Sequence, residues 1–163
     1  MWSRRILLTL LAAATAGAQS RSKPYTGPRP PKPDVPYLLH AATLVETEAV
    51  EAKEEKRKDE SVYAVDGPSS SARTPLAEPI FLFQAEKLQA EKLEIYKLTV
   101  KNGRREIVFP DSPKKRREIR PAHVVVTRLA ESLYRIKANE GLDNGEYAIT
   151  PAGSNQVFLF QVY

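Results

Sequence analysis

The sequence predicts an all-β fold, an antiparallel β-sandwich preceded by a proline-rich N-terminal arm. From Tyr37 onward, short runs of β-branched, aromatic and aliphatic residues alternate with turn residues, and strands of that length and spacing are typical of antiparallel sandwiches. The chain also contains 13 prolines but only 7 glycines. Because proline is costly inside core strands, most prolines are expected in turns and tails.

Residues 1–18 have the features of a cleavable secretory signal peptide. An arginine pair at positions 4 and 5 precedes the apolar run Ile6–Ala13, and Ala16-Gly17-Ala18 supplies a cleavage motif. The apolar run is shorter than the roughly 20 residues that span a membrane. We therefore expect cleavage after Ala18, a periplasmic or secreted protein, and no transmembrane segment after cleavage. The arginine pair leaves both the general secretory route and the twin-arginine route open.

The remaining chain divides into an arm and a single domain. Residues 19–36 contain six prolines and no periodic apolar pattern, which favours an extended spacer of polyproline type. Residues 37–163 carry the strand pattern and have the length of one domain. We therefore predict a β-sandwich domain over 37–163.

Most of the predicted strands pair as hairpins. Asn102-Gly103 supplies the two positive-φ positions of a tight turn, and Pro151–Asn155 joins the last two strands. Runs such as Phe158-Leu159-Phe160 are apolar on both faces, so one face is expected in the core and the other beneath the arm, a loop or a partner. The predicted strands are Ser61–Val65, Ile80–Gln84, Glu94–Val100, Arg105–Phe109, His123–Leu129, Leu133–Ala138, Glu146–Thr150 and Gln156–Val162.

Two segments are ambiguous in the sequence. Residues 41–60 carry a thin helical stripe of alanine and valine, but like charges four residues apart disfavour an isolated helix. A strand from Tyr37 to about Ala52, followed by a charged turn into Ser61, is favoured slightly over the helix. Residues 85–93 contain the tetrapeptide AEKL twice and are predicted to form one or two helical turns.

The C-terminal pattern resembles a group of exported proteins. Leu142–Ile149 (LDNGEYAI) followed by Gly153–Phe160 (GSNQVFLF) is similar to the closing hairpin of uncharacterised exported bacterial β-sandwich proteins with an LxxGEYA…GSNQVFxF pattern, and Thr74–Phe81 is similar to them as well. The resemblance covers 37–163. It implies an immunoglobulin-like or transthyretin-like sandwich and implies no activity. In physical terms, Gly145 would end a turn while Tyr147, Phe158 and Phe160 pack into the core.

Candidate chemistry is sparse. The chain has no cysteine, which excludes disulfides and cysteine-based metal sites. His40 and His123 lack metal-ligand spacing, the serines at 69–71 lack a nucleophile frame and read as a flexible turn, and residues 143–146 read as a turn rather than a calcium loop. The glutamates between 46 and 55 read as a solvated face. No catalytic, cofactor-binding or metal-binding residue is therefore predicted.

The strongest candidate for binding is a basic segment, residues 101–120. Lysine and arginine bind phosphates and carboxylates by charge and, for arginine, by bidentate geometry. Removing Arg4 and Arg5 with the signal lowers the formal net charge from +5 to +3, a mild bias that favours encounter with anionic polymers. The alternative is a solvated loop. The candidate residues for an anionic ligand are Lys114, Lys115, Arg116, Arg117, Arg104 and Arg105.

Three hypotheses of function remain open at this stage. The first is a non-enzymatic sandwich module that binds a protein partner in the cell envelope. The second is an electrostatic binder of anionic envelope polymer or lipid through 101–120, with nucleic acid disfavoured by the expected export. The third is a hydrolase with a carboxylate pair, for which the sequence selects no residue.

Overall fold

The computed structural model describes residues 23–163. The predicted signal peptide, residues 1–18, and the beginning of the predicted arm, residues 19–22, lie outside the described residues. The helices and strands of the described chain, in order, are β1 (Pro36–His40), β2 (Thr43–Glu46), β3 (Glu48–Glu51), β4 (Lys53–Arg57), β5 (Glu60–Asp66), β6 (Arg73–Thr74), β7 (Ile80–Gln84), a 3₁₀ turn (Ala90–Lys92), β8 (Leu93–Lys101), β9 (Arg104–Pro110), α1 (Pro113–Arg116), β10 (Val124–Ala130), β11 (Leu133–Ala138), β12 (Gly145–Pro151) and β13 (Gln156–Val162).

These strands form two sheets, which confirms the predicted all-β, antiparallel sandwich. The first sheet has the order β10-β11-β7-β1-β2, and the second has the order β3-β13-β12-β8-β9-β5-β4. The strand pairs along both orders are antiparallel, and the two-residue strand β6 pairs in parallel with β13. The three predicted hairpins are the pairs β8–β9, β10–β11 and β12–β13.

The main core lies between the two sheets. Phe81 of the first sheet packs edge-to-face on Phe160 of the second, with ring centroids 4.9 Å apart. Tyr147 stacks on Phe160 at 5.5 Å, and Phe158 is fully buried in the same cluster. Each fully buried side chain of this size contributes about 1.5–3 kcal/mol through the hydrophobic effect. The predicted inward positions of Tyr147, Phe158 and Phe160 are confirmed.

The second sheet curls into a half-barrel. Its two outer strands, β3 and β4, are consecutive in the chain and are separated only by Ala52. The β3 strand pairs with β13 and the β4 strand pairs with β5, at the other end of the order. One continuous segment therefore borders both ends of the sheet, which forces the sheet to bend around its inner face. A second apolar cluster, containing Leu98, Ala148 and Leu159, occupies that face.

The curl explains the strands that are apolar on both faces. Because successive side chains point to opposite faces of a strand, Phe158 and Phe160 enter the main core while Leu159 enters the cluster inside the curl. Leu159 is as completely buried as its two neighbours. The covering of the second face thus comes from the chain's own sheet and loops.

Local predictions are mostly confirmed. Asn102 and Gly103 have φ values of 52° and 72°, as a tight turn requires. Residues 41–60 form strands, but the predicted continuous strand is broken: it turns at residues 41–42, and β4 extends to Arg57. In the AEKL segment, the predicted short helix is a single 3₁₀ turn at Ala90–Lys92.

The described part of the arm, residues 23–35, contains neither helix nor strand. Its end is anchored by Asp34, whose carboxylate accepts the backbone N–H groups of residues 86, 87 and 88 at 2.9–3.1 Å. Burial acts to raise the pKa of Asp34, but the three N–H donors together outweigh burial and hold this pKa below its usual value. No helix among residues 23–163 has the length and apolar character needed to cross a membrane.

Candidate functional site

The inner face of the curled sheet encloses a cavity of about 350 Å³, which we call the inner cavity. This volume lies within the range of small-molecule sites. Five strands contribute side chains to its wall, and the loop after β12 together with the segment after β9 completes it. The lining residues are Ala52, Tyr63, Val65, Glu94, Tyr96, Leu98, Arg105, Ile107, Phe109, Arg116, Ile119, Ala148, Thr150, Pro151, Gly153, Ser154, Asn155, Val157 and Leu159.

The period-two alternation of each strand produces this wall. On β8, Ile95 enters the main core while Tyr96 and Leu98 face the inner cavity. This follows from the alternation of side chains between the two faces of a strand. On β12, Tyr147 enters the core and its neighbour Ala148 faces the cavity. The small side chain of Ala148 leaves open space between larger neighbours.

Three aromatic rings form one side of the inner cavity. Phe109 packs edge-to-face on Tyr63 at 5.8 Å and on Tyr96 at 5.6 Å. The Tyr96 hydroxyl donates to Glu94 at 2.9 Å, and the Tyr63 hydroxyl donates to Glu54 at 3.2 Å. Burial first, and then the hydrogen bond to Glu94, raises the pKa of Tyr96 to about 12. The pKa of Tyr63 is raised in the same way by burial and by Glu54, so both phenols are neutral at physiological pH.

The segment 111–122 contributes Arg116 and Ile119 to the wall of the inner cavity, and we call it the basic lid. Both of its ends are fixed to strands: the Asp111 N–H donates to the Asp59 carbonyl at 2.8 Å, and the Ala122 N–H donates to the Ile95 carbonyl at 2.8 Å. Strands β8 and β9 pair only near their turn, from Thr99 opposite Glu106 to Lys101 opposite Arg104. The basic lid lies where the two strands no longer pair.

Four of the six predicted anion-binding residues lie together on the basic lid. Lys114, Lys115, Arg116 and Arg117 are exposed, and none of them forms an ion pair with a residue in 23–163. Arg116 lines the inner cavity, and its guanidinium carbon lies 5.8 Å from the centre of the Phe109 ring. The four cations thus lie on one segment beside the inner cavity, and Arg116 is the one of them that lines its wall.

The other two predicted residues are occupied within the fold. Arg104 forms hydrogen-bonded ion pairs with Glu55, at 2.6 Å, and with Glu106, at 2.9 Å. Arg105 is 1% exposed. Its five N–H donors are all used by Glu48, Ser70 and the carbonyls of Asp66 and Gly67. Neither arginine is brought to the rim with the four lid cations.

Arg105 organises a polar cluster that the sequence did not reveal. Ser70, expected in a flexible turn, is buried, and its hydroxyl donates to Glu146 at 2.6 Å while accepting from Arg105 at 2.8 Å. Glu146, predicted to lie where a turn meets a strand, is in β12 and is 3% exposed. Glu48, assigned to a solvated face, pairs with Arg105 at 3.2 Å. These corrections have one cause: burying Arg105 requires acceptors from distant segments.

The residues of the inner cavity could have been found only in part from the sequence. Tyr96 and Leu98 share one face of an alternating strand, and Ile107 and Phe109 share one face of the next. That signal indicates an apolar second face but does not indicate a cavity behind it. Among residues 23–163, no group of three or more histidine, aspartate or glutamate side chains could hold a metal ion.

Comparison of the chain with protein-family models, with curated proteins and with solved structures gives no match. The site is therefore interpreted from its own geometry.

Proposed function

We propose that this protein is an exported, non-enzymatic β-sandwich module that binds an anionic lipid of the cell envelope through its basic lid. The observation that carries the proposal is the basic lid: Lys114, Lys115, Arg116 and Arg117 are exposed and without ion pairs among the described residues, and Arg116 lines the inner cavity. Cations beside an apolar space match a ligand with an anionic head and an apolar body.

Two further observations favour this function over the alternatives. Strands that are apolar on both faces would suit a protein partner, but the second face of these strands packs inside the curled sheet. A hydrolase with two carboxylates needs a pair facing one ligand. Glu94 is the one carboxylate among the described lining residues, and its Oε2 accepts the Tyr96 hydroxyl.

The proposal is tested by sedimentation of residues 19–163 with vesicles of phosphatidylglycerol and phosphatidylcholine, and with vesicles of phosphatidylcholine alone. We expect binding to the anionic vesicles only. Each cation near an anionic surface contributes about 1 kcal/mol, so K114S/K115S/R116S/R117S should weaken binding up to about a thousandfold at low salt. High salt should weaken binding of the wild-type protein as the screening length shortens.

The matched control is K23S/K58S/K87S/K92S, which removes the same charge from exposed lysines outside the basic segment 101–120. If the control weakens binding as much as the lid variant does, binding depends on net charge alone and the proposal fails. Binding to soluble polyphosphate with the same affinity as to anionic vesicles would also contradict it, because the ligand would then be a polymer rather than a lipid.

A further inference from the structure

The inner cavity has the dimensions and the wall of a site for one hydrocarbon chain. Its volume of about 350 Å³ is the space of about a dozen water-sized groups, and a methylene group is of similar size. Aliphatic side chains from three strands, Leu98, Ile107 and Leu159, line the space together with the three aromatic rings. A flexible unbranched chain can follow such a wall and bury nearly all of its surface.

Most polar side chains in the wall already have hydrogen-bond partners within the protein, and the exposed wall is more apolar than polar. Arg105 has no free N–H donor, and the Tyr63 and Tyr96 hydroxyls donate to glutamates. The Thr150 hydroxyl lies 2.8 Å from the Gln156 carbonyl, to which it donates. A polar ligand body would gain few new hydrogen bonds there, whereas a hydrocarbon chain needs none.

At the rim, Arg116 is placed to receive the head of such a ligand. It combines exposure to solvent with a position on the cavity wall, and its guanidinium lies near the face of Phe109. Its neighbour Arg117 is also exposed but does not line the cavity. The arrangement therefore distinguishes one cation of the basic lid from the others.

We infer that the inner cavity binds the single hydrocarbon chain of an amphiphile whose anionic head, a carboxylate or a phosphate, pairs with Arg116. This inference rests on the proposed function and names the ligand class of the same site. The protein then takes the amphiphile as a monomer, with the chain removed from water and from the bilayer, and the remaining lid cations surround the head.

The first test uses the wild-type protein and calorimetric titration with octanoate, decanoate, dodecanoate and tetradecanoate below their micelle concentrations. Full burial of a methylene group corresponds to up to about fourfold in affinity. We expect one site whose affinity rises toward that factor per methylene and then levels once the chain fills the cavity, near about a dozen carbons. Affinity that does not depend on chain length would overturn the inference, whatever happens with vesicles.

A second test fills the cavity. In A148F the new ring occupies the space that faces Ala148 and should abolish dodecanoate binding, whereas V100F, at an exposed position of β8, should leave it unchanged. Circular dichroism and thermal melting establish that both variants fold. Should A148F fail to fold, V65W serves in its place, because Val65 lines the same cavity from a half-buried position. Equal binding by filled and control variants would contradict the inference.

A third test addresses the head. Loss of a charge-assisted hydrogen bond should weaken dodecanoate binding about tenfold in R116Q, while R128Q, at an exposed position of β10 in the other sheet, changes it little and neither variant alters binding of uncharged dodecanol. If R116Q and R128Q behave alike, Arg116 does not hold the head. Titration with inorganic phosphate tests whether the head binds without the hydrocarbon chain. Appreciable phosphate binding would overturn the inference, because the chain would then be unnecessary.

The proposed function and this inference can fail separately. If affinity rises with chain length as expected but the lid variant binds vesicles as well as wild type does, the proposed function is rejected while the cavity remains a hydrocarbon site.

Discussion

Replacing Arg105 with methionine should destabilise the fold much more than replacing its neighbour Arg104. Arg105 is 1% exposed and gives five hydrogen bonds, two of them to Glu48 and one to Ser70. Its removal leaves Glu146, 3.9 Å away and buried, without a cation. Breaking a buried pair from one side costs about 3–5 kcal/mol, which is a large share of the roughly 5–15 kcal/mol that a domain has.

Arg104 is the matched control because it has the same chemistry at the adjacent position. Its side chain is 27% exposed and its partner Glu55 is 41% exposed, and surface ion pairs contribute about 0–1 kcal/mol. The measurement is urea unfolding of R105M and R104M with comparison of the free energies of unfolding and of the denaturant slopes.

A second prediction distinguishes two causes of the destabilisation in R105M, the loss of side-chain packing and the uncompensated charge of Glu146. If the uncompensated carboxylate is the cause, the double variant R105M/E146Q should be more stable than R105M alone, because it removes the buried charge that has lost its cation. The reasoning is refuted if R105M costs no more than R104M, or if E146Q worsens R105M.

Two further predictions concern the arm and the β8–β9 turn. D34N should destabilise the protein by about 1–3 kcal/mol because residues 86–88 lose a charged acceptor. Since the pKa of Asp34 is lowered by folding, its contribution is fully present above the unfolded pKa near about 4 and is lost as pH falls through the lower folded value; a gap between D34N and wild type that does not narrow in acid contradicts this. G103A should cost about 1 kcal/mol because Gly103 has φ of +72°, whereas G141A, at an open site without positive φ, should not destabilise; equal unfolding free energies for these two variants would refute the strain argument.

Local sequence signals predicted most strands because strand alternation and turn chemistry act over a few residues. Asn102-Gly103 predicts its hairpin without knowledge of the rest of the chain. The path of residues 41–60 could not be predicted in the same way. Its breaks depend on β3 pairing with β13, about a hundred residues later, and on β4 pairing with β5 immediately after it. A pattern within a few residues cannot indicate that one segment borders both ends of a sheet.

The candidate site, like the fold, can be predicted from the sequence only where its signal is local. The cluster Lys114–Arg117 is visible as a run of charge, and its exposure follows from that run. Its position at the rim of the inner cavity depends on Ala122 pairing with Ile95, and on the early separation of β8 and β9. The local sequence predicts a flexible turn at Ser70 and the start of a strand at Glu146, whereas the burial of both follows from a cation supplied by another strand.

The inner cavity makes the fold less stable than a filled core would be. The chain has no cysteine, so its fold depends on packing, and unfilled apolar space reduces that packing. Larger side chains at Ala52 or Ala148 would fill the space from positions that already face it. A148F is therefore expected to fold at least as stably as V100F while losing the ligand, which is the exchange of binding for stability that functional sites show. A melting point for A148F well below that of V100F would mean that the cavity is needed for packing and would remove this argument for a ligand.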